Sequence, residues 1–211
     1  MAIYDISLPF NTRLAGWPGD SPYRLTWTCR IDGGASVNLG EIATSLHTGT
    51  HVDAPYHFDD SGQTLERLDL EIYIGPAAVV DVAGGHRIGV AEIIAGLAGL
   101  DLSRTPRLLL KTGGWPDHER FPEEIPVMDE DVPSWLGQMG VRLIGLDVPS
   151  VDHLSSKDLP IHHALRRNGI AILESLDLTA VRPGVYELIA LPLRLEGADG
   201  SPVRAILRDE N

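Results

Sequence analysis

Short apolar segments, separated by turn-forming residues, recur along most of the chain. Several are continuous runs, such as RLLLKT at residues 107–112, and this pattern is typical of strands covered on both faces of a sheet. The 22 glycines and 15 prolines are spread throughout and punctuate short elements. The segments that predict strands are residues 3–8, 23–30, 77–82, 107–112, 141–147, 170–176, 185–195 and 203–209.

Three segments predict helices instead. Residues 90–100 show partial helical periodicity despite their glycines. Residues 129–140 open with acidic residues and close with a glycine, as the helix dipole and a C-terminal cap favour. Residues 159–169 begin near Pro160 and end in two arginines and a glycine, which favours a short helix. Strand and helix alternate in the second half of the chain, whereas the first half is mostly strand and loop.

Length and composition fit one domain with its own core. The chain has 211 residues, of which 43% are hydrophobic and 22% are charged. A chain of this size can bury a core without a metal to replace it. We therefore expect one α/β domain over residues 1–211, built on a mixed, strand-rich sheet.

Charge and cysteine content limit the partners of the chain. The net charge of −13 opposes binding to nucleic acid and to anionic membranes. The single cysteine, Cys29, excludes an intrachain disulfide and a thiolate zinc site. The N-terminus does not predict a signal peptide, and the longest wholly apolar run, residues 93–100, is far shorter than the roughly 20 residues of a membrane span. We expect a soluble, cytoplasmic protein that acts on a small molecule.

The segment HTGTHVDAPYHF, residues 47–58, concentrates polar chemistry. It contains three of the eight histidines, His47, His51 and His57, with Asp53 between them. Such side chains cost free energy when buried, and a cluster of them usually serves a metal ion or a proton transfer. A straight strand would separate His47 from His51 by about 13 Å, which is too far for one metal ion.

The chain must therefore bend between His47 and His51. Gly49 and Pro55 oppose a regular helix, and Gly49 provides the freedom for a bend. His51 and Asp53 lie two positions apart and can then point the same way. The resulting H-x3-H-x-D pattern predicts a site for a divalent metal such as zinc or manganese.

A second group of candidate ligands lies more than a hundred positions downstream. Glu174 interrupts the apolar segment 170–176, and a carboxylate inside a buried strand needs a cation or strong hydrogen bonds. His162 and His163 lie near the start of the helical segment 159–169. Adjacent helical residues point about 100° apart, so only one should face the site, and the pattern does not choose between them.

HTGTHVDAPYHF resembles the H-x-G-T-H-x-D-x-P-x-H-F signature of the cyclase-like metal-dependent hydrolases. The similarity extends over nearly the whole chain, and within these hydrolases the chain is most similar to the kynurenine formamidase branch. The other segments that carry it are GWPGD, KTGGW, GLDVPSVDHLSSKDLPIHHAL, GIAILESLDL and GVYELIALPLRLEGADGSPVRAIL.

This resemblance implies a swivelling β/β/α fold, a homodimer and a site with two zinc ions, with manganese or another divalent ion as the alternative. His47, His51 and Asp53 match the first ligand cluster of the family. His162 and Glu174 match the second, because His162 lies twelve residues before the glutamate, as in the family. Asp53 and Glu174 are expected to bridge the two ions.

The resemblance also implies a reaction, the hydrolysis of N-formyl-L-kynurenine to L-kynurenine and formate in tryptophan degradation. His57 matches the histidine that donates and accepts protons, and Trp17 matches a tryptophan that contacts the substrate. The aniline leaving group departs badly as an anion. An imidazole ordinarily exchanges a proton near neutral pH, so a histidine such as His57 suits the protonation of this leaving group.

Three alternative interpretations use the same residues. A related hydrolase of the family would use the same metal ligands and a different pocket to act on isatin, a cyclic imide or another arylformamide. A non-heme iron oxygenase also uses two histidines and a carboxylate, but the additional His162 and Glu174 favour two metals. A protein that only binds metal would not need His57 as a free acid–base group.

Overall fold

The computed structural model describes residues 1–82 and 84–209, in which strands outnumber helices. The strands are β1 (Ile3–Asp5), β2 (Arg24–Cys29), β3 (Leu39–Ala43), β4 (His51–Asp53), β5 (Ile74–Asp81), β6 (Arg87–Ile88), β7 (Arg107–Lys111), β8 (Val127–Met128), β9 (Leu143–Leu146), β10 (Ala171–Glu174), β11 (Gly184–Ile189), β12 (Gly200–Pro202) and β13 (Ile206–Arg208). The helices are α1 (Val90–Leu97), α2 (Val132–Gln138) and α3 (Pro160–Arg167).

Nine strands form the main sheet, in the order β1-β13-β11-β5-β7-β9-β10-β4-β12. The central strands β5, β7, β9 and β10 run parallel, and the outer strands pair antiparallel. This mixed, strand-rich sheet confirms the predicted α/β class. Because β4 pairs with both β10 and β12, three segments that are distant in sequence meet at one edge of the sheet.

The sheet is covered on both faces, as the continuous apolar runs predict. Leu108 and Leu110 of β7 belong to the core that contains Ile93 of α1 and Leu136 of α2. Leu109, between them, points to the opposite face and joins a second core with residues of β11 and β13. Side chains alternate between the faces of a strand, so a strand with two buried faces has no polar positions in its pattern.

Each α-helix lies inside one of the predicted helical segments. Helix α1 ends at Leu97 because the next residues, Ala98 and Gly99, have left-handed φ angles of 47° and 93°. Helix α3 carries Pro160 in its first turn and ends two residues before Gly169, whose φ is 69°. In the described ranges, none of the helices has the length and apolar character needed to cross a bilayer.

The strands differ from the prediction in two ways. The predicted strand over 185–195 ends at Ile189, shortly before Pro192, which has no N–H to donate. The pattern also fails to predict the short strands β3, β4, β6, β8 and β12. Strand β4 shows the reason, because two of its three residues, His51 and Asp53, are polar and carry no strand signal.

The hairpin of β2 and β3 forms a separate two-stranded sheet. It presents several large apolar side chains to solvent. The exposed apolar residues of the hairpin and its connecting loop are Leu25, Trp27, Ile31, Val37, Leu39 and Ile42.

Candidate active site

The turn before β4 sets the direction of the first candidate ligands. Gly49 has a φ of 65°, and a β-carbon there would lie 3.0 Å from Cδ2 of Leu14. The chain bends at this glycine, as the spacing predicts, and then enters β4. The carbonyl oxygen of Gly49 accepts a hydrogen bond from Nδ1 of His51 at 2.8 Å. This bond leaves Nε2 of His51 directed at the carboxylates of the site.

Asp53 lies at the centre of the histidine cluster. Its Oδ1 is 3.0 Å from Nδ1 of His47 and 3.4 Å from Nε2 of His51. Its Oδ2 is 3.5 Å from Nε2 of His162. Asp53 is buried, and among the described residues its Oδ2 has no hydrogen-bond partner. A buried carboxylate oxygen without a hydrogen bond is costly, and a cation would satisfy it.

Glu174 reaches the same point from the neighbouring strand. It is paired with His51 across β10 and β4, and its Oε2 lies 3.5 Å from Nε2 of His51. Its Oε1 accepts a hydrogen bond from the amide of Val151 at 2.9 Å and lies 3.8 Å from Nε2 of His162. Glu174 therefore spans the space between the two histidines from one side, while Asp53 spans it from the other.

Helix α3 presents His162, and not its neighbour, to this cluster. His162 is buried, and its Nδ1 donates a hydrogen bond to Asp152 at 2.7 Å. His163 points elsewhere and meets the ring of Phe58 edge-on, with centroids 5.5 Å apart. The packing of α3 on the sheet makes the choice that the sequence pattern leaves open.

The charges of the cluster suit a divalent cation. Burial opposes protonation of His51 and His162, but the hydrogen bonds that their rings donate to nearby carboxylates outweigh it and raise both pKa values to about 10. Hydrogen bonds with Asp199 and Asp53 likewise overcome burial and raise the pKa of His47 to about 9. Burial alone would raise the pKa of Asp53, but the surrounding imidazoles hold it well below its usual range.

Two groups of donor atoms converge closely enough to hold metal ions and share one carboxylate. In each group the donor atoms lie within 4.8 Å of one another. Imidazole nitrogens and carboxylate oxygens are the ligands expected for zinc or manganese. The first group is His47, His51 and Asp53. The second group is Asp53, His162 and Glu174.

His57 lies beside these groups, on a 3₁₀ turn that follows β4. Its ring stacks on that of His47 with centroids 3.8 Å apart, and its Nδ1 lies 3.4 Å from Oδ2 of Asp199. Burial lowers the pKa of His57, which favours the neutral ring near pH 7. His47, His57 and Asp199 also converge within 4.8 Å, so Asp199 is part of the same polar network.

Sequence reasoning does not find Asp199. The residue directly precedes β12, and its Oδ2 lies 3.0 Å from Nε2 of His47. Hydrogen bonding to His47 is the main cause that lowers the pKa of Asp199. The surrounding sequence GADG, residues 197–200, gives no signal for a site residue, and the position of Asp199 depends on the pairing of β12 with β4.

A cavity of about 290 Å³ opens above the donor atoms. His51, His162 and Glu174 form part of its lining, together with the rings of Trp17 and Phe121 and the buried Trp115. Trp17, which the sequence singles out, is 37% exposed and meets Phe121 edge-on with centroids 5.1 Å apart. Phe121 carries no sequence signal for this role. The cavity can hold a flat apolar ring beside the polar cluster.

Comparison with known proteins places the chain in a family. The family model Cyclase matches residues 4–153. A protein from Geobacillus thermodenitrificans named kynurenine formamidase is 52% identical over 206 residues, which cover 97% of this chain and 96% of that protein. The structure of a protein from Bacillus stearothermophilus that is described as a predicted metal-dependent hydrolase matches with a TM-score of 0.81 and 28% identity, over 98% of this chain and 97% of that one. An isatin hydrolase from Labrenzia aggregata shares the fold, with a TM-score of 0.83 and 21% identity over 98% and 93% of the two chains.

The fold is that of a metal-dependent hydrolase, and the convergent histidine and carboxylate groups could hold a metal ion. More particularly, the chain belongs to the cyclase family, in the branch whose curated members are named kynurenine formamidase.

Proposed function

We propose that this protein hydrolyses N-formyl-L-kynurenine to L-kynurenine and formate. The observation that carries the proposal is the position of Asp53 and Glu174 between His51 and His162, beside a cavity with aromatic walls. The polar cluster suits the formamide, and the cavity suits the aromatic ring. The name of the relatives at about half identity supports the same substrate.

We propose two divalent ions, zinc in the first instance, as the cofactor. His47, His51 and Asp53 would hold one ion, and Asp53, His162 and Glu174 the other, with Glu174 also reaching toward the first. The unpartnered Oδ2 of Asp53 supports the fit. Such ions, when bound, lower the pKa of water and polarise a carbonyl oxygen.

His57 is proposed as the proton carrier of the reaction. In its neutral form, Nδ1–H can donate to Asp199, so that Nε2 is available to accept a proton from the attacking water. The protonated ring can then pass that proton to the aniline nitrogen as the C–N bond to the formyl carbon breaks. Asp199 would orient the ring during both transfers.

Trp17 is proposed to bind the aromatic ring of the substrate. It lines the cavity, and its edge-on contact with Phe121 holds the indole at the rim. An indole face offers apolar area and favourable ring contacts to an aniline. The substrate would then lie with its formamide toward Glu174 and its side chain toward solvent.

A homodimer and a cytoplasmic location stay predictions. The exposed apolar residues of the β2–β3 hairpin support the dimer, because burying them against a second copy would remove them from water. The organisation as one domain over residues 1–211 is likewise a proposal; Ala83, Glu210 and Asn211 lie outside the described residues.

The proposal is tested with the purified metal-loaded protein. Metals per chain would be counted, and release of the free aniline from N-formyl-L-kynurenine would be followed beside opening of isatin. Asp53→Asn serves as the matched variant, because it keeps the shape of the side chain and removes the charge shared by both groups of donors. We expect rapid hydrolysis of the formamide, slow or absent opening of isatin, and loss of both metal and activity in the variant. Preference for isatin would assign the chain to a different reaction of the family.

A further inference from the structure

One tight turn carries both an aromatic wall of the cavity and a carboxylate. The amide of Asp20 donates a hydrogen bond to the carbonyl of Trp17 at 3.0 Å, and Gly19 between them has a φ of 99°. Both Trp17 and Asp20 line the cavity. Because the turn is closed by its own hydrogen bond, the backbone holds Trp17 and Asp20 close together.

The carboxylate of Asp20 is also tied to the loop that carries the first histidine. Oγ of Ser45 donates to Oδ2 of Asp20 at 2.9 Å, and the amide of His47 lies 3.3 Å from the same hydroxyl. In the part of the chain that the structure describes, no other side chain bonds to this carboxylate. Its position is therefore fixed from one side, while it remains able to accept further hydrogen bonds.

Apart from the histidines, the charged side chains that line the cavity are acidic. Among its described lining residues, Asp20 and Glu174 are the acids, and there is no lysine or arginine. Glu174 lies among the proposed metal ligands, whereas Asp20 lies at the rim with Trp17. The carboxylate of Asp20 therefore favours a cationic group at the rim.

We propose that Asp20 binds the α-ammonium group of the substrate and makes the enzyme select aryl formamides that carry a cationic amine. This inference rests on the proposed function. Kynurenine-type substrates carry an ammonium group on the side chain of the ring, so a ring on Trp17 would place that group near the next charged side chain of the same turn. A carboxylate–ammonium hydrogen bond is charge-assisted and stronger than a neutral one.

The test compares substrates with and without the amino acid group. Asp20→Asn keeps the acceptor for Ser45 and removes the charge. Its KM for N-formyl-L-kynurenine should rise about tenfold with kcat little changed, because the interaction is made before and during the reaction alike. For 2-formamidoacetophenone, which keeps the ring, ketone and formamide but has no ammonium, the KM of Asp20→Asn should equal that of the wild type.

A neighbouring carboxylate provides the control. Asp117 is exposed on the loop between β7 and β8 and does not line the cavity, so Asp117→Asn removes the same charge without touching the proposed contact. It should leave both KM values unchanged. Circular dichroism would verify that each variant folds.

Binding of products separates this inference from the proposed function. Affinities for L-kynurenine and for 2-aminoacetophenone would be measured by calorimetry, which does not need turnover. Weaker binding of L-kynurenine alone in Asp20→Asn supports the inference even if hydrolysis is not seen. If the wild-type enzyme is active and Asp20→Asn loses affinity for both ligands equally, or for neither, the inference is overturned and the proposed function stands. A wild-type protein that neither binds nor hydrolyses these compounds overturns both.

Discussion

Asp152 Oδ2 accepts a hydrogen bond from Nδ1 of His162 at 2.7 Å, and both side chains are buried. The same carboxylate accepts hydrogen bonds from the amides of Ile161 and His162, each at 3.0 Å. One acid thus anchors the start of α3 and directs Nε2 of His162 toward Asp53 and Glu174. Such a partner on the far nitrogen orients a ligand histidine and increases its basicity.

Asp152→Asn should weaken metal binding by about 10–100-fold. The Asn side chain has one acceptor oxygen where the carboxylate has two, so it cannot accept from both helix amides, and it no longer offers a charged acceptor to the imidazole. A competition titration with a chromophoric chelator would measure the affinity. Asp158→Asn, at an exposed position nearby, is the matched control and should bind metal normally. Equal metal affinities for the two variants would show that Asp152 does not support metal binding.

His57→Ala should keep its metal and lose turnover by a factor on the order of 10²–10⁴. The residue lies outside the two groups of donors centred on Asp53, so its loss removes proton transfer and not a ligand. Metal content per chain and the rate of N-formyl-L-kynurenine hydrolysis are the two measurements. Normal turnover would refute the role, and loss of metal would make His57 a ligand.

Gly200→Ala should disturb the site although glycine has no functional group. A β-carbon there would lie 2.7 Å from Cε1 of His47 and 3.0 Å from the carbonyl oxygen of Val52. Overpacking of this kind costs about 1–3 kcal/mol and would displace the imidazole, so we expect a lower melting temperature and weaker metal binding. At Gly33 the same change meets nothing within 4 Å, and Gly33→Ala is the control. A Gly200→Ala protein with wild-type metal affinity would contradict this explanation.

Metal uptake should release protons near pH 7. The pKa values of about 10 for His51 and His162 lie above this pH, so both rings are protonated in the metal-free chain. A ligand nitrogen must be unprotonated, so metal binding has to displace the proton from each ring. Metal affinity therefore increases as pH rises. Calorimetry in two buffers with different ionisation enthalpies would count the protons. Identical heats in both buffers would show that these rings are already neutral.

Much of the fold can be predicted from local patterns. The three helices lie where periodicity and terminal residues indicate, and the buried strands β7, β9 and β10 lie within the continuous apolar runs, whereas β5 begins at Ile74, before its predicted segment 77–82. Strand β4 and its edge neighbour β12 cannot be predicted in this way. Their residues are either polar residues of the site or a glycine that packs closely against a neighbouring side chain. Neither strand therefore shows the hydrophobic pattern of a strand.

The candidate site divides in the same manner. The bend at Gly49 and the shared direction of His51 and Asp53 follow from spacing, because both depend on neighbouring residues. The choice of His162 over His163 depends on how α3 packs on the sheet. Asp199 and Phe121 have no local signal at all, since their loops reach the site only after distant segments have folded.

The sequence by itself determined the residue types that can bind a cation, the bend that brings the first three together, and the layers that enclose the sheet. These are local consequences of side-chain chemistry and backbone geometry. Only the tertiary structure decided which distant groups complete the cluster, because the antiparallel pairing of β4 with β10 and β12 sets Glu174 opposite His51 and Gly200 opposite Asp53. Strand register is a long-range property, and a short polar strand does not specify its own partners.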